Sequence, residues 1–276
     1  MPTDDLSRLC IHTMTNKPWS LNQCLSNYER VGIPAISVWR NVIENEDLSA
    51  VKKRIANAGI SIASLVRGGF FTGTDKATRN KAIDENKQIL EEAAAIGAPL
   101  VVLVCGATPG ISITENIKQI QDGIEALTET AEKLNVKLGI EPLHPMYSDI
   151  RSAVNSMESA NDLAEAINSP FVGVTIDVFH LWWEKNLENQ INRCAKNNNL
   201  FSYHICDWKT DMEDMLNDRG LMGDGIINVD QISKWVDDTG FNGYQEVEIF
   251  SKKYWEMDQV EFLDLIVDRY KKLNIK

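Results

Sequence analysis

Residues 171–183, FVGVTIDVFHLWW, decide how the rest of the chain is read. Side chains of a strand alternate between its two faces. Val172, Val174 and Ile176 therefore fall on one side, and Gly173, Thr175 and Asp177 on the other. An apolar face backed by a small, polar one that ends in a carboxylate is unlike an ordinary core strand. It predicts a buried strand whose polar side opens on a site, with His180 following shortly after Asp177.

Working outward, short apolar runs alternate with longer amphipathic ones from end to end. Strands are expected at 8–15, 34–40, 61–67, 99–106, 136–142, 199–208 and 243–250, and helices at 20–31, 47–58, 75–96, 113–134, 159–167, 187–195, 229–238 and 257–273. Eight strand-plus-helix units call for a parallel sheet covered by helices. Eight also closes a barrel, whose usual size of about 250 residues suits this chain. The expectation is α/β: a (β/α)8 TIM barrel, one domain over residues 1–276, with no linker or low-complexity tract. An open doubly wound sheet is the alternative, but CIHTMTNKPW after the first strand holds no GxGxxG fingerprint.

Composition narrows the class. A formal charge of −12 argues against nucleic acid and anionic membranes as partners, while leaving room for a local basic site. Five scattered cysteines without a CxxC pair suit a reducing compartment better than a disulfide framework. MPTDDLSRLC is too short and acidic for a signal peptide, and no apolar run approaches the ~20 residues of a membrane span. A cytoplasmic protein is expected.

Catalytic groups of a barrel lie at the carboxyl ends of its strands. Those ends here are Glu141, Asp177, His204 and Glu248, and each faces inward while Leu138, Ile140, Val174, Ile176, Tyr203, Ile205, Val247 and Ile249 face the helices. A single acid at a strand end is more often a loop residue with a hydrogen bond, and a single strand histidine more often core. Four at consecutive strand ends are different, because carboxylates crowded into one mouth repel unless a cation lies among them. Two Glu, one Asp and one His favour a divalent ion, Mn²⁺ first, with Mg²⁺, Co²⁺ or Zn²⁺ as alternatives. Glu246 shares the inner face with Glu248, but Glu248 is nearer the mouth and is taken as the ligand.

All four histidines, His12, His144, His180 and His204, fall at or beyond strand ends. His180 is expected to meet a substrate hydroxyl, with His144 and His12 as further contacts. Trp19, Trp39, Trp182, Trp183 and Trp208 gather at the same end and could pack on a sugar ring, or simply on one another. Arg40, Arg67, Arg151 and Arg219 could grip a carboxylate or phosphate, against the plainer reading of loop salt bridges. The loop RGGF at 67–70 could offer backbone N–H groups to an anion. No GxSxG, P-loop or cysteine nucleophile context occurs.

GIEPLHP (139–145), VGVTIDVFHLWW (172–183), YHICDW (203–208), RGLMGDGIIN (219–228) and GYQEVEIF (243–250) resemble the sugar isomerase/epimerase family of xylose isomerase-like TIM barrels. WSL (19–21), GIPAISVWR (32–40) and RGGFF (67–71) resemble a branch described as sugar phosphate isomerase/epimerase. The resemblance implies one divalent metal on Glu141, Asp177, His204 and Glu248. It implies substrate contact by His180, and a loop from Arg219 to Asp224 over the site. Trp183, Arg67 and Arg219 join the expected contacts to a small sugar or sugar phosphate. The expected reaction is proton transfer α to a carbonyl by Glu141 and Glu248, through an enediolate. A metal-dependent inosose-type dehydratase and a non-catalytic sugar- or metal-binding barrel are the alternatives. The His-rich trinuclear site of endonuclease IV does not match four histidines. A homodimer or homotetramer is expected for this kind of barrel.

Overall fold

A computed structural model describes residues 5–273; the acidic start at residues 1–4 and the last residues of the expected 1–276 domain lie outside it. Eight strands run parallel and close on themselves: β1 (Leu9–His12), β2 (Ala35–Trp39), β3 (Ser61–Gly69), β4 (Leu100–Val104), β5 (Lys137–Ile140), β6 (Val172–Asp177), β7 (Leu200–Ile205) and β8 (Gln245–Val247). β8 pairs with β1 in register Cys10↔Glu246, which leaves no free sheet edge. The protein is a TIM barrel, as the strand count and spacing predict.

The helices are α1 (Leu21–Val31), α2 (Leu48–Asn57), α3 (Lys76–Ile96), α4 (Ile113–Glu125), α5 (Thr128–Leu134), α6 (Met157–Ile167), α7 (Val178–Leu181), α8 (Leu187–Lys196), α9 (Val229–Asp238), α10 (Lys252–Trp255) and α11 (Gln259–Lys272). Their ends are set by local chemistry. Ser20 and Gln23 form a capping box at the start of α1, and Gly32 ends it at φ 81°, a conformation that favours glycine. Among the described residues no helix is long and apolar enough to cross a membrane.

Two local expectations change. The single helix foreseen over 113–134 is broken between α4 and α5, where the Thr128 hydroxyl donates to the Glu125 carbonyl at 2.8 Å, a back-bond that bends helices. The short helices α7 and α10 carry no periodic signal of their own. α7 starts because Asp177 Oδ1 accepts from the Phe179 N–H at 2.8 Å, so the strand-end acid turns the chain directly into a helix.

The outward faces of the strands pack under the helices: Leu138, Ile140, Val174, Ile176, Tyr203, Ile205 and Val247 all lie in one buried cluster with helical side chains. Inside the barrel, small residues keep space for the polar groups. A Cβ on Gly139 would stand 2.4 Å from Thr175 Oγ1, so only glycine lets β5 approach β6 there. The register Asp177↔His204 and His204↔Glu246 then brings the polar ends of β6, β7 and β8 to neighbouring levels.

Candidate active site

Two layers of ionisable groups line the inside of the barrel near the carboxyl ends of the strands. In the deeper layer Glu246 is buried and enclosed by donors: the hydroxyls of Ser37 and Ser202 donate to its two oxygens, and His12 Nε2 lies 3.1 Å from Oε2. Burial alone would raise its pKa, but the hydrogen bonds and the nearby His12 and His204 charges outweigh that and hold it at about 2.

The upper layer gathers Glu141, Asp177, His204 and Glu248, all buried, with one potential ligand atom from each lying within 4.8 Å of all the others. Glu141 and Glu248 lie just past β5 and β8, held by N–H bonds to the Leu103 and Ile205 carbonyls, so the ladders continue far enough to fix them. His204 Nδ1 faces the carboxylates, 3.4 Å from Glu141 Oε1 and 3.8 Å from Glu248 Oε2. Glu141 Oε1 and both His204 ring nitrogens have no hydrogen-bond partner among the described residues. Buried polar atoms are nearly always satisfied, so unpartnered atoms facing one another fit a cation between them. This oxygen-rich set with one imidazole suits a divalent ion.

Arg219, which sequence reading put in a loop over the site, instead turns fully into it. Its Nη1 donates to Asp177 Oδ2 at 2.8 Å and to Glu248 Oε2 at 2.9 Å, and its guanidinium lies between the rings of Phe179 (4.5 Å) and Phe250 (5.2 Å). Asp177 is nonetheless raised to about 6, because burial exceeds the pull of Arg219 and the neighbouring carboxylates add to the rise. Glu248 goes the other way: burial opposes ionisation, but His12, 3.0 Å from Oε1, and Arg219 hold its pKa well below the usual carboxylate range. His12 therefore joins the two layers.

His180 is buried at the same mouth. Burial first, and Arg219 next, push its pKa well down, so the ring is neutral at pH 7. Arg219 Nη2 lies 3.3 Å from His180 Nε2, which must accept because guanidinium only donates. The proton then belongs on Nδ1, a buried donor with no partner among the described residues.

The remaining expected contacts divide. His144 is half-buried beside Trp208 (4.9 Å) and Trp183 (5.9 Å), and burial lowers its pKa. Trp183 is exposed and donates its ring N–H to the His180 carbonyl at 2.8 Å. Arg67 and Arg151 are half-buried, Arg67 4.4 Å from the Phe70 ring and Arg151 5.8 Å from the Tyr147 ring. Arg40 is not available, because Glu92 binds it through two hydrogen bonds of 2.6 and 2.8 Å. The single aromatic cluster also divides: Trp19 is core, Trp39 packs with Phe250, which in turn meets Trp255, and Trp182, Trp183 and Trp208 form a separate wall with Phe179.

One residue went unnoticed in the sequence. Asp207 accepts from the backbone N–H groups of Trp208, Gly223, Gly225 and Ile227, which ties the loop after β7 to its own root and fixes Arg219. Its place just beyond β7 in YHICDW was the available signal.

A sequence model of xylose isomerase-like TIM barrels matches residues 25–266. The inosose isomerase of Halalkalibacterium halodurans is 25% identical over 271 residues, spanning 95% of this chain and 94% of that one. Among solved structures, protein SMc04130 from Sinorhizobium meliloti 1021 superposes with a TM-score of 0.95 at 38% identity, over 99% of this chain and 100% of that one. IOLI protein, crystallised with a binding zinc atom, superposes with a TM-score of 0.83 at 24% identity, over 96% and 99% of the two chains.

Proposed function

The chain belongs to the xylose isomerase-like TIM barrels, and from that premise we propose that it is a divalent-metal-dependent isomerase or epimerase of a small sugar or cyclic polyol ketone. The observation that carries this reading is the upper layer itself. Two glutamates from β5 and β8 stand across one narrow mouth, with unpartnered atoms of Glu141 and His204 turned toward each other. The inosose isomerase relative supports the substrate class, and the fold is one on which IOLI protein holds zinc.

Glu141, Asp177, His204 and Glu248 would hold the ion. A divalent cation there would supply Lewis-acid stabilisation of the negative charge that develops on the substrate's oxygen. The chain's own groups do the rest. Glu141, whose Oε1 has no protein donor, takes the proton from the carbon α to the carbonyl. Glu248, approaching from the other side, serves the second proton transfer, to the opposite face for epimerisation or the adjacent carbon for isomerisation. Arg219 keeps Asp177 and Glu248 in place and limits their mutual repulsion. The neutral His180 directs its Nδ1–H to a substrate hydroxyl, and the Trp183–His144–Trp208 wall shields one side of the ring from water.

Solvent-deuterium exchange followed by mass spectrometry tests this. A panel of ketoses, ketose phosphates, hydroxypyruvate and inosose is incubated with metal-stripped protein, with and without Mn²⁺. Metal-dependent gain of deuterium α to a carbonyl is expected. Loss of one water from the product would make the protein a lyase, and binding without exchange a non-catalytic barrel.

A further inference from the structure

Of the ten arginines, eight donate a hydrogen bond or an ion pair: Arg8, Arg30, Arg40, Arg54, Arg79, Arg193, Arg219 and Arg269. Among the described residues Arg67 and Arg151 do neither. In a chain with 40 acidic residues against 28 basic ones, an arginine that finds no carboxylate is conspicuous. Both are half-buried, and both rest on aromatic faces instead, Arg67 4.4 Å from the centre of the Phe70 ring and Arg151 5.8 Å from that of Tyr147. A ring face steadies a guanidinium without using its five N–H donors.

The backbone makes one platform of the segments that carry them. The Gly106 N–H donates to the Arg151 carbonyl at 2.9 Å, and the Phe70 and Phe71 N–H groups donate to the Val104 and Cys105 carbonyls. A Cβ on Gly106 would stand 2.9 Å from the Phe70 Cα, so the loops after β3, β4 and β5 touch through that glycine. Glu141 leaves β5 at the same place, its N–H bonded to Leu103. Burial, and then the Arg151 charge, lower the Arg67 pKa, with Glu141 opposing. The platform thus carries two like charges on the side of the mouth where a proposed catalytic glutamate leaves β5. A cavity of about 390 Å³, lined in part by Met14, Trp39, Arg40, Arg67, Phe70 and Glu85, opens beside Arg67.

We infer that Arg67 and Arg151 form a receptor for an oxyanion carried by the substrate, so that the molecule turned over is a sugar phosphate or sugar acid rather than a neutral sugar. This rests on the isomerase reading for where the reacting carbons lie. An incoming phosphate or carboxylate satisfies the idle donors and relieves the repulsion between the two cations. Guanidinium pairs match the geometry of both anions.

The test is binding to the Mn²⁺-loaded, full-length protein, measured by calorimetry for fructose, fructose 6-phosphate and 5-ketogluconate. The same titrations follow on Arg67→Gln and Arg151→Gln, each checked for an unchanged circular dichroism spectrum. One or both charged sugars should bind about 10- to 100-fold more tightly than fructose, a factor in the range of one or two charge-assisted hydrogen bonds. That advantage should fall to near unity in either variant and shrink in 0.5 M salt in the wild type, roughly as expected for screening. Retention by the phosphate alone or by the acid alone names the anion. Equal binding of charged and neutral sugars, or an advantage that survives both substitutions, overturns the inference. Failure of the isomerase reading shows separately, as tight charged-sugar binding with no deuterium incorporation.

Discussion

Glu246 and Glu248 occupy the same strand edge, both buried and both directed inward, yet their surroundings differ completely. Glu246 is saturated by two serines and His12. Glu248 lies between His12 and Arg219, and faces unpartnered atoms of Glu141 and His204. A buried acid whose lone pairs are filled by protein donors is finished as a structural element. One whose neighbours still lack partners is prepared for something that arrives from outside. His12, His204 and Glu246 are also close enough to hold an ion, but the serine hydroxyls already occupy Glu246, so the upper layer is the better site.

The sharpest way to break this contrast is substitution at each level. Glu248→Gln and Glu141→Gln should each lower turnover by about 10³-fold or more while the thermal unfolding temperature stays near wild type. Near-normal rates in either would remove it from the mechanism. Glu246→Gln should do the reverse, costing about 3 kcal/mol of stability in urea titrations because His12 and two serines lose their anion. Its effect on turnover should stay within about 10–100-fold, the usual range for a residue behind a ligand. A folded, fully stable but dead Glu246 variant would mean that the layers have been assigned the wrong way round.

Metal addition sharpens the same point. Mn²⁺ at about 100 times its dissociation constant should stabilise the wild type by about 2.7 kcal/mol in differential scanning fluorimetry. The gain should persist in Glu246→Gln and vanish in Glu141→Gln. A gain lost only in the Glu246 variant would locate the ion in the deeper layer.

A third acid extends the series. Glu184 accepts a single hydrogen bond, from the Met157 N–H at the start of α6, and burial pushes its pKa up to about 7. Because the folded value exceeds the unfolded one, the native state binds the proton more tightly, and this group's contribution falls as pH rises from about 4.5 to 7. Glu184→Gln keeps the acceptor and removes the charge. It should stabilise the protein at pH 8 by about 1–2 kcal/mol, discounted for partial solvent exposure, and leave it nearly unchanged at pH 4. Equal effects at both pH values would show that packing, not ionisation, decides this site.

Much of this architecture was legible in the sequence because alternation is a local property. Apolar neighbours at Val174 and Ile176 force Asp177 inward whatever the rest of the chain does, and the same holds for Glu141, His204 and Glu248. What could not be read depends on pairs distant along the chain. Arg219 reaches Asp177 across 42 positions, and the segments carrying Arg67 and Arg151 meet only because three loops share a glycine contact. The break between α4 and α5 hangs on one threonine hydroxyl, which periodicity cannot register. Nor does a run of tryptophans say which rings bury themselves: Trp19 joined the core, while Trp183 stayed at the rim.

The wall beside the mouth has an optical consequence. Trp208 stacks on Phe179 at 4.8 Å, lies 5.5 Å from Trp182 and 4.9 Å from the His144 ring, and the exposed Trp183 is a further 5.9 Å from that histidine. Indoles so close to one another exchange excitation energy, the neighbouring imidazole can quench them, and their emission responds to whatever displaces water from the mouth. The protein therefore carries its own fluorescent gauge of occupancy, readable without a label while ligands are screened.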